Sequence, residues 1–207
     1  LVTGCGAAAG APAVTSTPRP ADAATAVAQA IARTAGFIDV KYDQLNTTTA
    51  GTSVSAFSGT IVATKNPART EVKSAPTSGS GAALDSVEDY SAGTFCTVQP
   101  GPRQRLTGQS TDAASVSPFS ELQNSVTGWS YASDPGGAPQ WHARGRLARS
   151  VPGATLAGTA DVYIEANSGK IVKTATAVTT KRDSLTFGTV TVFSNFVYDT
   201  GVTVPAC

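Results

Sequence analysis

The sequence has no methionine, one histidine and three cysteines, and only 14% of its 207 residues are charged. Each scarcity excludes something. A single histidine rules out chemistry that needs several imidazoles, and three cysteines with no two close together give no thiolate zinc site. Fifteen basic residues against fourteen acidic ones leave a formal charge of +1, so the chain carries no global basic field for nucleic acid. No apolar run approaches the roughly 20 residues of a membrane-spanning helix, and no period repeats. The Gly-x-Ser-x-Gly, Ser-x-x-Lys, phosphate-loop and His-Glu-x-x-His patterns are all missing, so neither an enzyme nor a cofactor is expected. A chain without methionine does not contain its own initiator, and a segment upstream of Leu1 is expected to have been removed.

What is present is apolar enough, at 41%, to build a core, with 20 glycines and 12 prolines to turn the chain. Threonine, serine, alanine and valine are abundant, which suggests many strands in an exported protein. Length favours one domain.

The pattern along the chain predicts a helix over Ala23–Ala35, capped by Asp22 and stopped by a left-handed Gly36, with Val27 and Ile31 as a thin apolar face. Strand alternation follows at Ile38, Val40 and Tyr42, then at Thr52–Thr64, where Phe57 and Ile61 share one side and Val54 and Val62 the other. Asn66-Pro67 turns into a strand over Arg69–Ser74, and Ala75–Ala83 reads as a surface loop. Weaker strands lie at Val87–Tyr90 and Thr94–Val98. Ser117-Pro118 opens a second predicted helix with Phe119, Leu122, Val126 and Trp129 on one stripe. After the turn Asp134-Pro135-Gly136-Gly137, Trp141, Ala143, Gly145 and Leu147 alternate with His142, Arg144 and Arg146. Ala160, Val162 and Ile164 alternate with Asp161, Tyr163 and Glu165, and Asn167-Ser168-Gly169 turns into Lys170–Thr180. The last two predicted strands are Leu185–Asn195 and Val197–Val204. A sheet this long is expected to curl.

The opening Leu1-Val2-Thr3-Gly4-Cys5-Gly6 has two readings. Gly4-x-Gly6-x-x-Ala9 fits a dinucleotide-binding turn, but Pro12, Pro18 and Pro20 deny it the helix it must open. Alternatively, Val2-Thr3-Gly4-Cys5 resembles a bacterial lipobox. That resemblance implies cleavage before Cys5, a residual signal peptide at 1–4, a lipid-modified Cys5 opening a flexible tether over 5–20, and a single domain over 21–207. Such a tether spans roughly 20 Å. An ordinary cysteine in a tail is the competing reading. With Cys5 lipidated, Cys96 and Cys207 are left to form a disulfide around a loop of about 110 residues, worth about 4–5 kcal/mol in the chain-entropy model, or to stay as two buried thiols.

Three segments carry a family resemblance: the lipobox, Asp161-Val162-Tyr163-Ile164-Glu165-Ala166-Asn167-Ser168-Gly169-Lys170, and Ser194-Asn195-Phe196-Val197-Tyr198-Asp199-Thr200-Gly201-Val202-Thr203-Val204-Pro205. Together with the alanine-rich first helix, they resemble the LolA/LolB-like envelope lipid carriers, especially the mycobacterial LppX/LprG lipoprotein family. Val87–Arg105 departs from the family pattern. The resemblance implies an α+β fold: a strongly curved antiparallel sheet, or half-barrel, with two or more short helices covering its concave face. It also implies an apolar cavity for the acyl chains of a lipid or lipoglycan. The chain would then be lipid-anchored through Cys5 at the outer face of the bacterial cell membrane, with an envelope transporter as a further partner.

Apolar wall candidates for that cavity are Ile38, Val40, Tyr42, Phe57, Ile61, Val162, Ile164, Phe187 and Phe193. Arg144 and Arg146 are candidates for gripping a lipid head group, or else a solvated face. His142 lacks a carboxylate close in sequence to orient it, and Glu88 and Asp89 point to opposite faces of a strand, so no acid–base pair is evident. The other function class is a surface-anchored structural or interaction lipoprotein with a filled core and no small-molecule ligand.

Overall fold

The computed structural model describes residues 18–79, 81–97, 104–107, 118–133 and 139–206. Cys5, Cys207, the tether up to residue 17 and the turn at 134–137 lie outside the described residues.

The first helix, α1 (Ala23–Thr34), starts where the sequence expects it: the Asp22 carboxylate accepts the Thr25 backbone N–H at 2.7 Å and the Thr25 hydroxyl at 2.8 Å. Its buried residues, Ala23, Ala26, Val27, Ala30, Ile31 and Thr34, recur at helical spacing, and four of the six are alanine or valine. A face of such small side chains lets the helix lie close to a sheet. Gly36 is not the left-handed stop that was expected. Ala35 keeps a right-handed conformation and its N–H reaches Ile31 O at 2.7 Å. The Lys65 ammonium then caps the Ala35 carbonyl, so no left-handed residue is needed.

Among the described residues, eleven antiparallel strands form one sheet: β1 (Asp39–Ala50), β2 (Ser53–Lys65), β3 (Ala68–Ser78), β4 (Leu84–Asp89), β5 (Thr94–Thr97), β6 (Gln104–Thr107), β7 (Val126–Tyr131), β8 (Gln140–Val151), β9 (Ala154–Glu165), β10 (Ile171–Arg182) and β11 (Leu185–Tyr198). Their order is β6-β5-β4-β3-β2-β1-β11-β10-β9-β8-β7. Only the β1–β11 contact joins distant parts of the chain; every other neighbour is consecutive.

Three expectations are corrected. The strand β3 runs on to Ser78 through the first four residues of the stretch read as a loop, because β2 extends alongside and pairs with Ala75, Pro76 and Ser78. The second helix, α2, spans only Ser120–Ser125, and Val126 and Trp129 belong to β7. A β-branched pair, Val126-Thr127, favours extended chain, and Gly128 at φ +63° cannot continue a helix and marks the register shift in β7. All four stripe residues still reach one core, Phe119 from just before the helix, Leu122 from the helix and two from the strand. Finally, Leu185 to Tyr198 is one strand, passing through Asn195 at φ +55°, and no strand follows it.

The C-terminal segment instead crosses the sheet irregularly. Asp39 fixes its start by accepting from Thr200 N (3.0 Å), Thr200 Oγ1 (3.1 Å) and Gly201 N (2.9 Å). Arg69, paired with Asp89 at 2.7 Å, donates to Val204 O at 3.2 Å. Val204 is then buried with Val87 and Cys96, against Val62.

Side chains alternate along each strand, so the register assigns every strand residue to a face. On the helix-side face, α1 packs on β7, β9 and β10, and α2 on β7 and β8. The core there joins α1 to Phe119, Leu122, Val126, Ala143, Leu147, Ala160, Val162, Ile164 and Ile171. A second core on the same face holds Phe37, Val40, Tyr42, Ile61 and Ala63. The C-terminal segment and its small cluster occupy the back face.

Candidate functional site

Beyond the two cores, the helix-side face of β1, β2, β10 and β11 continues for four more register rows. The first aligns Thr174, Phe193, Gln44, Gly59, Ser74 and Leu84. Next come Thr176, Thr191, Asn46 and Phe57, then Val178, Thr189, Thr48 and Ser55. The last, at the hairpin ends, holds Leu156, Thr180, Phe187, Ala50 and Ser53. None of these residues is charged. Most are half-buried, whereas Val162 and Ile164 under α1 have no exposure at all.

This surface is a trough with three boundaries. At its base stands an aromatic plug: Tyr42 stacks on Phe196 at 4.9 Å and meets Phe193 edge-on at 5.3 Å, Phe196 stacks on Tyr198 at 5.9 Å, and Phe119 leans on Phe196 at 5.5 Å. The Tyr198 hydroxyl donates to Ile171 O at 2.7 Å. Burial raises the hydroxyl pKa values of Tyr42 and Tyr198 well above the ordinary tyrosine range, and that of Tyr90, beside Glu88, is pushed up to about 12. Along one side rises the filled core under the helices. On the other side, Gly81 lies so close over the Phe57 ring that a Cβ there would come within 2.9 Å of it. Between Gln44, Asn46, Phe57, Val72, Ala82 and Leu84 a hollow of about 400 Å³ remains. The floor's polar groups partner sideways, as where Asn46 Nδ2 donates to Thr191 Oγ1 at 3.0 Å.

The cavity candidates read from the sequence therefore part company. Phe57, Phe187 and Phe193 lie on the trough. Val40, Tyr42 and Ile61 belong to the second core at its base, and Val162 and Ile164 are sealed beneath α1. Ile38 stands 67% exposed at the base end, where its N–H donates to Asp199.

Arg144 and Arg146 are on the back face and do not converge on the trough. There the sequence reading missed a partner. Register places Asp161 opposite Arg144, and its Oδ1 accepts from Arg144 Nε at 2.8 Å and lies 2.7 Å from His142 Nε2. The His142 ring is buried and stacked on Tyr163 at 4.3 Å, with Nδ1 unpartnered. Pairing across the Pro152-Gly153 turn was the signal that would have found Asp161. Glu88 and Asp89 do point to opposite faces: Glu88 accepts from Tyr90, and Asp89 from Arg69 on the back face. Cys96 is buried on the back face beside Val87 and Val204. Among the described residues, no group of three or more His, Cys, Asp and Glu is placed to hold a metal ion, and no helix is long and apolar enough to cross a membrane.

No family model and no curated protein matches this sequence. Solved structures do match. The lipoprotein LppX of Mycobacterium tuberculosis is 14% identical, with 87% of this chain and 97% of that one covered at a TM-score of 0.52. A LolA-superfamily protein of Nitrosomonas europaea is 12% identical over 88% of this chain and 94% of its own, at a TM-score of 0.38. At these identities the likeness to LppX is one of fold: a single large antiparallel sheet carrying two small helices.

Proposed function

We propose that this chain is an exported, lipid-anchored envelope lipoprotein that binds a lipid or lipoglycan by its acyl chains in the trough. The observation that carries the proposal is the uncharged, half-buried surface running from the aromatic plug past Phe193 and Phe57 to Phe187, with a hollow of about 400 Å³ beside it. Its volume is in the range of small-molecule sites. Each buried methylene contributes about 0.8 kcal/mol, so half of a long acyl chain is enough for stable binding. The wall consists of Phe57, Phe187 and Phe193, with the core packed under the helices along one side. The likeness of fold to a protein described as a lipoprotein is consistent with this reading.

In the proposal, Cys5 carries the anchor. Cys96 pairs with Cys207, which follows by three residues the Val204 that packs against Cys96. The Cys96–Cys207 bond fastens the C-terminal segment to the back face and leaves the trough clear.

The test is mass spectrometry of organic extracts from protein purified without acylation, as Cys5→Ser. Co-purified acyl lipid is expected at near-stoichiometric amounts, and Phe57→Glu and Phe187→Glu variants should fold but lose it. Lipid-free wild-type protein that takes up no added lipid would leave only the anchored interaction module.

A further inference from the structure

We infer that the open end of the trough docks on an anionic bilayer surface, so that cargo passes between membrane and trough without crossing water. The inference rests on the lipid-binding reading above and adds the surface through which that site is served. It comes from how charge and exposed hydrocarbon are distributed between the two ends of the sheet.

At the open end the hairpins β1–β2, β8–β9 and β10–β11 turn through Gly51 at φ +58°, Gly153 at φ +76° and Asp183 at φ +53°. Leu185 is 66% exposed there and lies on the same face as Phe187, two residues along β11, so the apolar floor runs out onto the rim. Val54, 50% exposed, stands at the neighbouring tip. Lys181 and Arg182 precede the β10–β11 turn, and Arg149 lies opposite Leu156 in the last row. All three cations are exposed. The only acid in these hairpin ends is Asp183, while Glu121 of α2 shares a polar hollow with Arg149.

The base end is built the other way. Three of its cations are engaged: Lys170 lies 3.6 Å from Asp199, Lys65 caps the Ala35 carbonyl and Arg33 reaches Ser168 O, while Lys41 stands exposed on the back face. Its acids, Asp39, Glu165 and Asp199, tie down loops. The base also exposes Ile38, but there the exposed Lys41 stands among these acids, whereas at the end that leads into the trough three exposed cations surround Leu185. That combination fits anionic head groups over an acyl interior.

Vesicle sedimentation tests the inference, using unacylated full-length Cys5→Ser protein and phosphatidylcholine vesicles with or without phosphatidylglycerol. Binding is expected only to the anionic vesicles and should weaken with added salt. Each cation near such a surface is worth about a fivefold change in partitioning, so the double variant Lys181→Glu, Arg182→Glu should lose at least about 25-fold. Leu185→Ser should lose a smaller factor, and Lys170→Glu at the base should bind as wild type. Equal binding to neutral vesicles, no binding to either kind, or an equal loss with Lys170→Glu would overturn the inference. The Phe57→Glu variant separates the two readings: it should still bind anionic vesicles after losing its lipid. If wild-type protein binds those vesicles yet carries no lipid, the trough reading has failed and the docking surface has not.

Discussion

The two halves of the helix-side face belong to one continuous antiparallel sheet, yet their floors differ in composition. Under α1 and α2 the rows from β8 and β9 hold Ala143, Gly145, Leu147, Ala160, Val162 and Ile164, with no polar side chain among them. Across β10, β11 and β1 the continuing rows hold Thr174, Thr176, Thr189, Thr191, Gln44, Asn46 and Thr48. A helix laid on the floor strips water from it, and every hydroxyl beneath would need a protein partner or cost free energy. The covered half therefore carries hydrocarbon of small volume. The other half keeps groups that bond one another sideways, as Asn46 does with Thr191 and Thr48, a surface that remains compatible with both water and hydrocarbon.

The sharpest way to break this comparison is to delete one aromatic ring from each half. Phe119 is fully buried between α2, Phe196 and the sheet, and Phe119→Ala should cost about 3–5 kcal/mol by denaturant titration. Phe57→Ala, at a half-buried site beside the hollow, should cost less than about 1.5 kcal/mol. Equal costs would mean that the trough is as tightly packed as the covered half.

The next effect concerns the back face. The Asp39 carboxylate is buried, which by itself raises its pKa, but the N–H groups of Thr200 and Gly201 and the Thr200 hydroxyl outweigh that and hold it below the ordinary value of 3.8. A carboxylate depressed in the folded state adds stability above its unfolded pKa, and the gain disappears as pH falls through the folded value. Asp39→Asn should remove about 1–3 kcal/mol at neutral pH, with two N–H groups losing a charged acceptor. It should also flatten the acid limb of a stability–pH profile, and proteolysis should cut the freed C-terminal segment first. Unchanged stability would mean that this segment is held by Val204 and Arg69 alone.

Much of the covered half was legible in the sequence. Asp22 announced α1, and the alternation of Trp141, Ala143, Gly145 and Leu147 with His142, Arg144 and Arg146 gave the two faces of β8 correctly. Periodicity failed where two periods coincide: Phe119, Leu122, Val126 and Trp129 satisfy a helical stripe, yet the last two reach the core from a strand. It also failed at Asp161, whose bonds to His142 and Arg144 exist only once β8 and β9 pair. Nine apolar residues were equally good wall candidates by alternation. Separating Phe57, Phe187 and Phe193 from Val162 and Ile164 required knowing which strands the helices cover, and strand alternation carries no information about that. The C-terminal segment misled because Val202, Thr203 and Val204 look like strand residues, whereas the bonds that hold this segment elsewhere come from Asp39 and Arg69, far away in sequence.

The smallest expected effect lies at the base of the trough, where the halves meet. The phenols of Tyr42 and Tyr198, raised chiefly by burial, and of Tyr90, raised by burial and Glu88, resist ionisation relative to the ordinary tyrosine value of 10.0. A group held neutral in the folded state contributes stability fully below its unfolded pKa, and that stability is lost as pH rises from about 10 towards the folded value. Spectrophotometric titration of phenolate should therefore show these tyrosines ionising late, together with loss of near-ultraviolet circular dichroism. Lipid bound in the proposed trough would lie against Phe193 and Tyr42, so it should move that late step to still higher pH while leaving the signal of Tyr131 and Tyr163 alone. A late step indifferent to lipid would place the cargo away from the plug, on the rows nearer Phe187.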